Sequence, residues 1–257
     1  ESATGMPVEA SQLSASWQNF GPTLEAHDIR AELKDGGEFS VKRVTLALDV
    51  WQSLLHMRWQ FRDLTFWQLR FRTNTPITSG GGNDSLEASH ISDLFLRQFD
   101  HFDLRDSEVS FLTPSGQRAE LAIPQLTWLN DPRRHRAEGL VSLSSLTGQH
   151  GVMQVRMDLR DDEGLLSNGR VWLQADDIDL KPWLGKWMQD NIALETAQFS
   201  LEGWMTIDKG DVTGGDVWLK QGGASWLGEK QTHTLSVDNL TAHITRENPG
   251  WQFSIPH

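Results

Sequence analysis

The sequence contains no cysteine. This absence excludes disulfides, thiolate zinc sites and thiol catalysis, and it leaves the redox compartment open. There is also no run of about 18 apolar residues, so no segment is long enough to cross a bilayer as a helix. Because the chain begins at Glu1 rather than at methionine, we expect it to be a piece of a longer protein that a signal or anchor segment precedes.

Positive charge is scarce. The chain has 23 Lys and Arg against 35 Asp and Glu, a formal net charge of -12. Binding to a nucleic-acid backbone requires a basic face, so nucleic acid is excluded as a partner. The one basic run, at residues 133–136, follows Asp131 and Pro132 and is predicted to be a solvated loop tip.

Patterns for catalysis and metal binding are missing as well. The chain has no Gly-x-Ser-x-Gly elbow and no dinucleotide fingerprint, and its nine histidines form no His-x-x-x-His pair. His101 is interpreted as a strand-edge residue, and Asp176, Asp177, Asp179 and Glu195 as solvated acids of a turn or cap between a strand and a helix. We therefore predict no catalytic residue, no metal site, no cofactor and no enzymatic activity.

What the sequence does contain is a regular alternation of apolar and polar residues. Between Ala197 and Ile207 every second residue is apolar or small, the period of a strand with one dry and one wet face. The alternation recurs from Val44 to Val50, Met153 to Leu159, Val171 to Ala175 and Trp251 to Ile255. Turn residues separate such segments at strand spacing, for example at 35–37, 130–132, 162–164, 209–211 and 221–223. The sequence predicts a mainly β protein, a long antiparallel sheet of about fifteen strands that are mostly hairpin partners.

Three segments depart from this period. Residues 51–58 are predicted to form a short helix, and residues 92–99 form another with Ser92 as its N-cap. Residues 180–189 have apolar side chains along one helical stripe. Residues 75–89 form the longest loop-like stretch, and its glycine triplet lacks the Lys-Ser/Thr of a phosphate loop.

The apolar face of the predicted sheet must be covered, and three short helices are too few for this. Either the sheet curls and fills its own interior as a sandwich, or part of the face remains for a ligand. Methionine, leucine and phenylalanine on the face favour a groove that repacks around acyl chains. The candidates for such a lipid groove are Val155, Met157, Val171, Leu173, Phe199, Leu201, Met205 and Val217.

Tryptophans are predicted on the opposite face. Trp172, Trp204 and Trp218 each lie between two members of the apolar row and so point away from it. They form an outer patch that either the helix at 180–189 covers, with Trp183 and Trp187, or that serves as a docking surface for a partner or a membrane interface. Five others are interpreted as packing residues, the first four with a membrane-proximal belt as the alternative: Trp17, Trp51, Trp59, Trp67 and Trp128.

The first 75 residues resemble a known module. The matching residues are Thr4-Gly5-Met6-Pro7-Val8, Leu13, Trp17, Phe20-Gly21-Pro22-x-Leu24, Asp28-Ile29, Val44-x-Leu46-x-Leu48-Asp49 and Ser53-Leu54-Leu55. This pattern is similar to the N-terminal module of AsmA-like envelope proteins of Gram-negative bacteria.

The resemblance implies a fold and a location. It implies a long curved sheet that forms a taco-like groove with an apolar interior and a few short helices, in the periplasm, attached to the inner membrane by an anchor outside this chain. On this basis residues 1–75 form the AsmA-like module and residues 76–257 continue the groove, as one structural unit. Members of the family are implicated in carrying phospholipid toward the outer membrane, so phospholipid acyl chains and envelope proteins are the implied partners.

Two classes of function remain open. The first is a section of a lipid conduit, which binds acyl chains without chemistry. The second is a polysaccharide-binding or purely structural β module with a self-filled core, in which exposed tryptophans stack on sugar rings. Continuous aliphatic residues on the apolar face favour the first. The last strand, ending at Ile255, is expected to be an unpaired edge that promotes self-association.

Overall fold

The fold is known from a computed structural model. The structure describes residues 12–18, 21–34, 36–76, 91, 93–112, 118–143, 151–179, 193–247 and 250–255. Predictions for residues 77–89 of the loop-like stretch, for residues 180–189 and for the capping role of Ser92 lie outside the described residues.

Thirteen strands and two short helices follow one another along the described chain. The elements are β1 (Gln12–Gln18), β2 (Gly21–Glu32), β3 (Glu38–Leu48), α1 (Val50–His56), β4 (Phe61–Pro76), α2 (Leu94–Gln98), β5 (His101–Leu112), β6 (Arg118–Asp131), β7 (Arg134–Leu143), β8 (Met153–Arg160), β9 (Asn168–Asp179), β10 (Ala193–Asp208), β11 (Asp211–Gly228), β12 (Gln231–Glu247) and β13 (Gly250–Ser254). The predicted mainly β class is confirmed.

All thirteen strands form one open sheet, and their order in the sheet is their order in the chain. Every neighbouring pair is antiparallel except β4 and β5, which are parallel. A parallel pair needs a crossover connection instead of a hairpin, because the chain must return to the end of the sheet from which the previous strand started. Residues 77–100, which include α2, make that connection.

The two helices differ in how they are held. Asp49 caps α1 by accepting the backbone N–H of Gln52 at 3.0 Å, and Met57 ends the helix in the left-handed conformation. In α2 the hydrogen bonds are of the π type: the N–H of Phe99 donates to the carbonyl of Leu94, five residues earlier. Helices were predicted at both places. Neither described helix has the length and apolar character that crossing a bilayer requires.

Several strands break their own alternation at mid-length. In β4 the buried residues Phe66 and Leu69 are three positions apart, whereas strict alternation requires an even spacing. Gln68 between them is exposed and has a φ of 52°. The same odd spacing brackets Asp28 in β2, Asp106 in β5 and Asp177 in β9, whose φ values are 53°, 46° and 53°. A left-handed polar residue thus lets each of these strands return its apolar side chains to the same face.

These irregular positions align across neighbouring strands. Residues 27 and 29 of β2 pair with 43 and 41 of β3, and the latter pair with 67 and 69 of β4. Asp28 and Gln68 therefore flank Lys42 at the same level of the sheet. Irregularities of this kind bend a strand and increase its twist. The result is a transverse crease in the sheet, with charged and amide side chains on its outer side.

Two sequence-based predictions fail at such positions. Residues 221–223 were predicted to be a turn, but they lie inside β11, where Gly222 pairs with Phe199. A Cβ at Gly222 would lie 2.3 Å from the carbonyl oxygen of Gln198, so this glycine permits close strand approach instead of a reversal. Asp176 and Asp177 likewise belong to β9 and not to a turn. The number of described strands is accordingly thirteen.

The hydrophobic core lies on the apolar face between β3 and β7. Its buried members include Val41, Leu64, Phe66, Phe102 and Trp128. Phenylalanines of the α2 segment pack against this cluster, with ring centroids 4.9 Å apart for Phe95 and Phe66. The core is therefore formed by one face of one sheet together with the crossover segment that lies on it.

Candidate functional site: the apolar face of the sheet

One row of residues, the central apolar row, crosses the sheet from β2 to β12. Directly paired residues have side chains on the same face, so the row can be traced from the strand register. Its members are Ala26, Val44, Phe66, Leu104, Leu126, Gly139, Val155, Leu173, Gly203, Val217 and Ala242. Each is apolar or glycine. At about 4.8 Å per strand the row extends for about 48 Å.

A second row runs beside it toward the end where β10 finishes. It comprises Trp128, Ala137, Met157, Val171, Met205, Gly215 and Ile244. On the other side of the central row, Leu201 pairs with Ala175 and Leu219, and Phe199 pairs with Ile178. The eight residues predicted to line a groove thus share one face. Three belong to the central row, three to the second row, and two lie beside them.

Glycine on the central row has a steric cause. A Cβ at Gly139 would lie 2.2 Å from the carbonyl oxygen of Gln125. This is where β6 and β7 shift register between Ala122 and Gln125. The strands approach each other too closely there for a side chain, so the apolar face continues without projecting one.

The face is filled between β3 and β7. Phe95 of α2 contacts four other phenylalanines, with centroid distances from 4.9 to 6.3 Å: Phe39, Phe66, Phe99 and Phe102. Phe99 adds contacts to Phe61 and Phe66 at 6.0 Å. The edge-to-face and tilted arrangements are the favourable ones for aromatic rings. In this region protein side chains occupy the apolar face.

A buried polar network fixes the α2 segment in this position. The Nδ2 group of Asn130 donates to the carbonyls of Phe95 and Phe99, at 2.6 and 2.7 Å. The Oδ1 atom of Asn130 accepts the indole N–H of Trp128 at 2.6 Å. It also lies 2.6 Å from Nδ1 of His135, whose Nε2 contacts the Asp161 carboxylate. Asn130 therefore satisfies the carbonyls that end the π-helix.

Sequence reasoning missed this network. His135 was placed in a solvated basic run, but its side chain is only 1% exposed. Arg134, next to it, lies on the opposite face and pairs with Asp158 at 2.6 Å. Alternation within β7 separates the two, because successive side chains point to opposite faces. The local sequence does not show this, because the face on which His135 lies follows only from where β7 begins, at Arg134.

The face is less buried from β10 onward. Leu201, Met205 and Val217 are half-buried, and Phe199 is the last hydrophobic residue in the described chain that is fully buried. Of the remaining predicted groove residues, Val155 is buried, and Met157, Val171 and Leu173 are half-buried. The described residues of β11 and β12 thus continue the apolar face without forming a closed core.

The three outer tryptophans are on the opposite face, as predicted. Trp172 pairs directly with Trp204, and Trp218 lies diagonally next to Trp204. Their surroundings are ionic. The Arg156 guanidinium lies 5.0 Å from the Trp172 ring, and the Lys220 ammonium lies 5.1 Å from the Trp218 ring. Such cation–π contacts occupy the ring faces of both tryptophans.

Glu202 connects these two tryptophan sites. Its carboxylate accepts the indole N–H of Trp172 at 2.9 Å and pairs with Lys220 at 3.1 Å. These two partners hold the pKa of Glu202 below its usual range, with the Trp172 hydrogen bond as the larger cause. Trp204, which is 42% exposed, has neither cation over its ring among the described contacts.

The described part of the chain shows no candidate metal centre. No group of three or more histidine, aspartate or glutamate side chains lies close enough to hold a metal ion in that part of the chain. His101 contacts Asp100 at 2.9 Å, and this hydrogen bond raises the pKa of the imidazole. The N–H of Asp177 donates to Ser200 Oγ at 3.0 Å, which joins β9 to β10. These contacts join neighbouring residues or strands.

Comparison with known proteins agrees with this geometry. Residues 1–257 match the family described as YhdP protein. The chain belongs to the YhdP protein family. Among YhdP relatives, the chain is 99% identical over 256 residues to the intermembrane phospholipid transporter YhdP of Escherichia coli (strain K12). That alignment covers 100% of the chain and 20% of the relative, so the chain spans about one fifth of the relative's length. No solved structure matches the chain.

The resemblance to an envelope family, drawn from the first 75 residues, is therefore confirmed. YhdP similarity extends over the whole chain and not only over its first part. This agrees with the structure, in which a single sheet continues without interruption from β1 to β13.

Proposed function

We propose that this chain is a section of a lipid-transport bridge, whose apolar face holds phospholipid acyl chains on their way between the inner and outer membranes. The observation that carries this proposal is the central apolar row. It remains in register across eleven strands and contains no polar side chain. A continuous apolar path is what an acyl chain requires, because the chain makes no hydrogen bonds.

The energetics of the rows suit this role. Burial of an acyl chain contributes about 0.8 kcal/mol per methylene wherever the apolar contact continues. An acyl chain that lies along a row crosses the strands, and each new strand offers a similar contact. When an acyl chain moves by one strand, it replaces one apolar contact with a similar one. This favours transfer along the row over tight binding at one position.

We assign acyl binding to the part of the face from β9 to β12. There Leu173, Leu201, Met205 and Val217 are half-buried and retain apolar surface. Between β3 and β7 phenylalanines already occupy the face. The eight groove residues remain candidates, and those of β10 and β11 are the strongest.

The name of the Escherichia coli relative supports the substrate class, since that protein is called an intermembrane phospholipid transporter. Location in the periplasm and attachment to the inner membrane through an anchor outside this chain belong to the same proposal. So does the boundary between a module at 1–75 and a groove segment at 76–257.

The alternative of a sugar-binding module has less support. Cations lie over the rings of Trp172 and Trp218, so these faces are not free to stack on a sugar. The alternative of a self-filled core does describe the sheet between β3 and β7. A docking role for Trp172, Trp204 and Trp218 stays a prediction, with Trp204 as the side chain most available to a partner.

Photo-crosslinking tests the proposal. A benzophenone amino acid is introduced at Met205, on the apolar face, and separately at Thr206, the next residue and exposed on the other face. The host is the Escherichia coli relative, at the aligned positions. We expect phospholipid to be captured at Met205 and not at Thr206. Leu240 and Thr241 of β12 form a second matched pair.

Membrane proximity alone would label both members of a pair. Equal labelling, or no labelling in a protein that retains its fold by circular dichroism, would contradict the conduit and favour a self-filled structure. Position 200 is avoided because Ser200 bonds to β9.

A further inference from the structure

The helix α1 and the residues after it display a cluster of large apolar side chains to solvent. The cluster, called here the α1 patch, comprises Trp51, Leu54, Leu55, Met57 and Trp59, which are 66%, 63%, 72%, 90% and 63% exposed. Five such side chains within nine residues exceed the scattered exposure that is normal on a protein surface. Trp51 and Trp59 were expected to be packing residues, and that expectation is wrong.

Polar contacts, and not apolar burial, hold α1 on the sheet. No residue of the helix is buried. Ser53 Oγ donates to the carbonyl of Asp49 at 2.6 Å and accepts the N–H of Gln60 at 2.9 Å. The N–H of Asp49 donates to the carbonyl of Gln60 at 2.9 Å. These bonds close the loop around the helix, so the apolar stripe at positions 51, 54 and 55 faces outward.

We propose that the α1 patch docks on the interfacial region of an anionic phospholipid bilayer. The composition of the patch fits that occupant. Tryptophan favours the level of the lipid headgroups, where its ring is buried and its N–H stays hydrated. Leucine and methionine beside it gain from contact with the upper acyl chains.

The charges around the patch are complementary to such a surface. The chain as a whole carries 35 acidic residues, yet none lies between residues 50 and 62, where His56, Arg58 and Arg62 are found. The Arg58 guanidinium donates to the backbone carbonyl of Arg97 at 3.0 Å. The Arg97 side chain pairs with Asp93 at 3.6 Å, so His56, Arg58 and Arg62 supply the basic groups next to the patch. Basic residues near an anionic membrane surface each add to binding.

The shape of the patch favours a bilayer over a second copy of the chain. A helix of two turns with a short tail offers a narrow ridge, which is suited to insertion between lipids and not to a broad protein contact. A ridge of this kind meets the interfacial region from the surface without spanning it.

Docking there would set the orientation of the sheet. The patch lies between β3 and β4, at the end of the sheet where α2 also contacts it through Arg58 and Arg97. Membrane contact would thus fall at the strand ends between β3 and β4, beside the part of the sheet whose apolar face α2 covers, and β9 to β12 would extend away from the contact. This inference rests on the proposed function, because it assigns the place where the proposed bridge section meets a bilayer.

Vesicle binding tests the inference on this 257-residue chain. The probe is vesicles of phosphatidylethanolamine and phosphatidylglycerol, about three to one, in a flotation assay. The variant is Trp51→Gln with Leu54→Gln, and the control is Leu129→Gln with Leu227→Gln, which removes side chains that are 40% and 45% exposed on the outer face of β6 and β11. We expect the partition coefficient to fall at least about tenfold in the variant and less than about twofold in the control.

Because none of the helix is buried, the variant should keep the circular dichroism spectrum of the parent. Unchanged vesicle binding in a folded variant, or an equal loss in variant and control, would overturn the proposal. A dimer in sedimentation velocity without lipid that the variant abolishes would show a second copy as the occupant, and would also overturn it.

A fluorophore gives an independent readout, since the sequence has no cysteine of its own. The environment-sensitive probe NBD is attached at Leu55→Cys and, as control, at Leu227→Cys on the outer face of β11. Addition of vesicles should shift the emission to the blue only at position 55. A shift at position 227 alone, or at neither position, would contradict the assignment.

Lipid capture at Met205 separates this inference from the proposed function. Retained capture of phospholipid supplied in detergent micelles, in a variant that no longer floats with vesicles, supports both. Absence of capture at Met205 refutes the conduit whatever α1 does.

Discussion

Two parts of the same apolar face differ in what covers them. Between β3 and β7 the buried cluster contains Phe66, Phe102 and Trp128, and α2 places Phe95 and Phe99 upon it. From β10 to β12 the face continues with Met205, Val217 and Leu219, which stay half-buried. In both parts apolar and polar side chains alternate along the strands, and the central apolar row runs through both.

The difference shows what fills a one-faced sheet. A hairpin turn lies at the ends of the two strands that it joins, so it does not cover the apolar face of the sheet. The parallel pair of β4 and β5 requires a crossover, and that crossover carries α2 across the apolar face. The strands β10, β11 and β12 are joined by hairpins, and neither of the two described helices lies on their part of the face.

The largest loss of stability is expected when a buried side chain is removed from the filled part of the apolar face, between β3 and β7. Phe66→Ala should lower the free energy of unfolding by about 3–5 kcal/mol, because Phe66 is 6% exposed and lies among aromatic rings. Leu219→Ala, in the half-buried part, should cost about 1 kcal/mol. Urea denaturation followed by tryptophan fluorescence measures both. Similar losses would mean that the two parts are packed alike.

A second test loosens the covering segment without touching the sheet's apolar side chains. Asn130→Ala leaves the carbonyls of Phe95 and Phe99 without their donor, and should cost about 1–3 kcal/mol. As the matched control, Asn168→Ala removes an exposed contact to Asp208 and the bond from Ser167 Oγ, whose hydroxyl can still donate to the Arg160 carbonyl, and should cost less than about 1 kcal/mol. Hydrogen exchange should increase around α2 only in the first variant. Equal exchange in the two would argue against Asn130 as the residue that fixes α2.

A smaller effect is expected from a change of pH, which alters the contribution of His101 to stability at the start of β5. The hydrogen bond with Asp100 raises the pKa of His101 above its ordinary value of 6.5. A group whose folded-state pKa is raised contributes stability that is fully present below its unfolded pKa and is lost as the pH rises through the folded value. The difference in stability between the parent and His101→Gln should therefore shrink as the pH rises from about 6 to about 8. A difference that grows over this range would reverse the assignment.

The smallest effect concerns the crease, which lies in β2 to β4 and so next to the core between β3 and β7. Gln68 has a φ of 52°, a conformation that glycine adopts without strain. Gln68→Gly should leave stability unchanged or raise it by about 0.5 kcal/mol, whereas Gln68→Val should lower it by about 1–2 kcal/mol. Thermal melts of the two variants measure the difference. A destabilised glycine variant would show that the glutamine side chain, and not the backbone, matters at this position.

Prediction from the sequence was most successful within single strands, where the alternation of apolar and polar residues shows which side chains share a face. The alternation in β10 correctly grouped Phe199, Leu201 and Met205 on one face and Trp204 on the other. It was least successful where two strands meet. Gly222 was taken for a turn residue because glycine marks turns in isolation, whereas here it admits the backbone of β10 at close range.

The alternation of apolar and polar residues also did not predict which polar residues are buried. Asn130 belongs by composition to an Asn-Asp-Pro turn, and His135 to a basic run. Their partners are the carbonyls of α2 and the carboxylate of Asp161, which are distant in sequence. Nothing in the local pattern distinguishes such residues from solvated ones.

The sequence by itself determined the class of the fold, the face on which apolar side chains lie within a regularly alternating segment such as that of β10, and the short helix at α1. These follow from the period of two and from local capping, which act within a few residues. Only the tertiary structure decided which part of the face is filled, and that α1 points its apolar stripe outward. Those outcomes depend on the register of strands far apart in the chain, because the strand pairing, and not the local sequence, places the crossover segment on one part of the sheet.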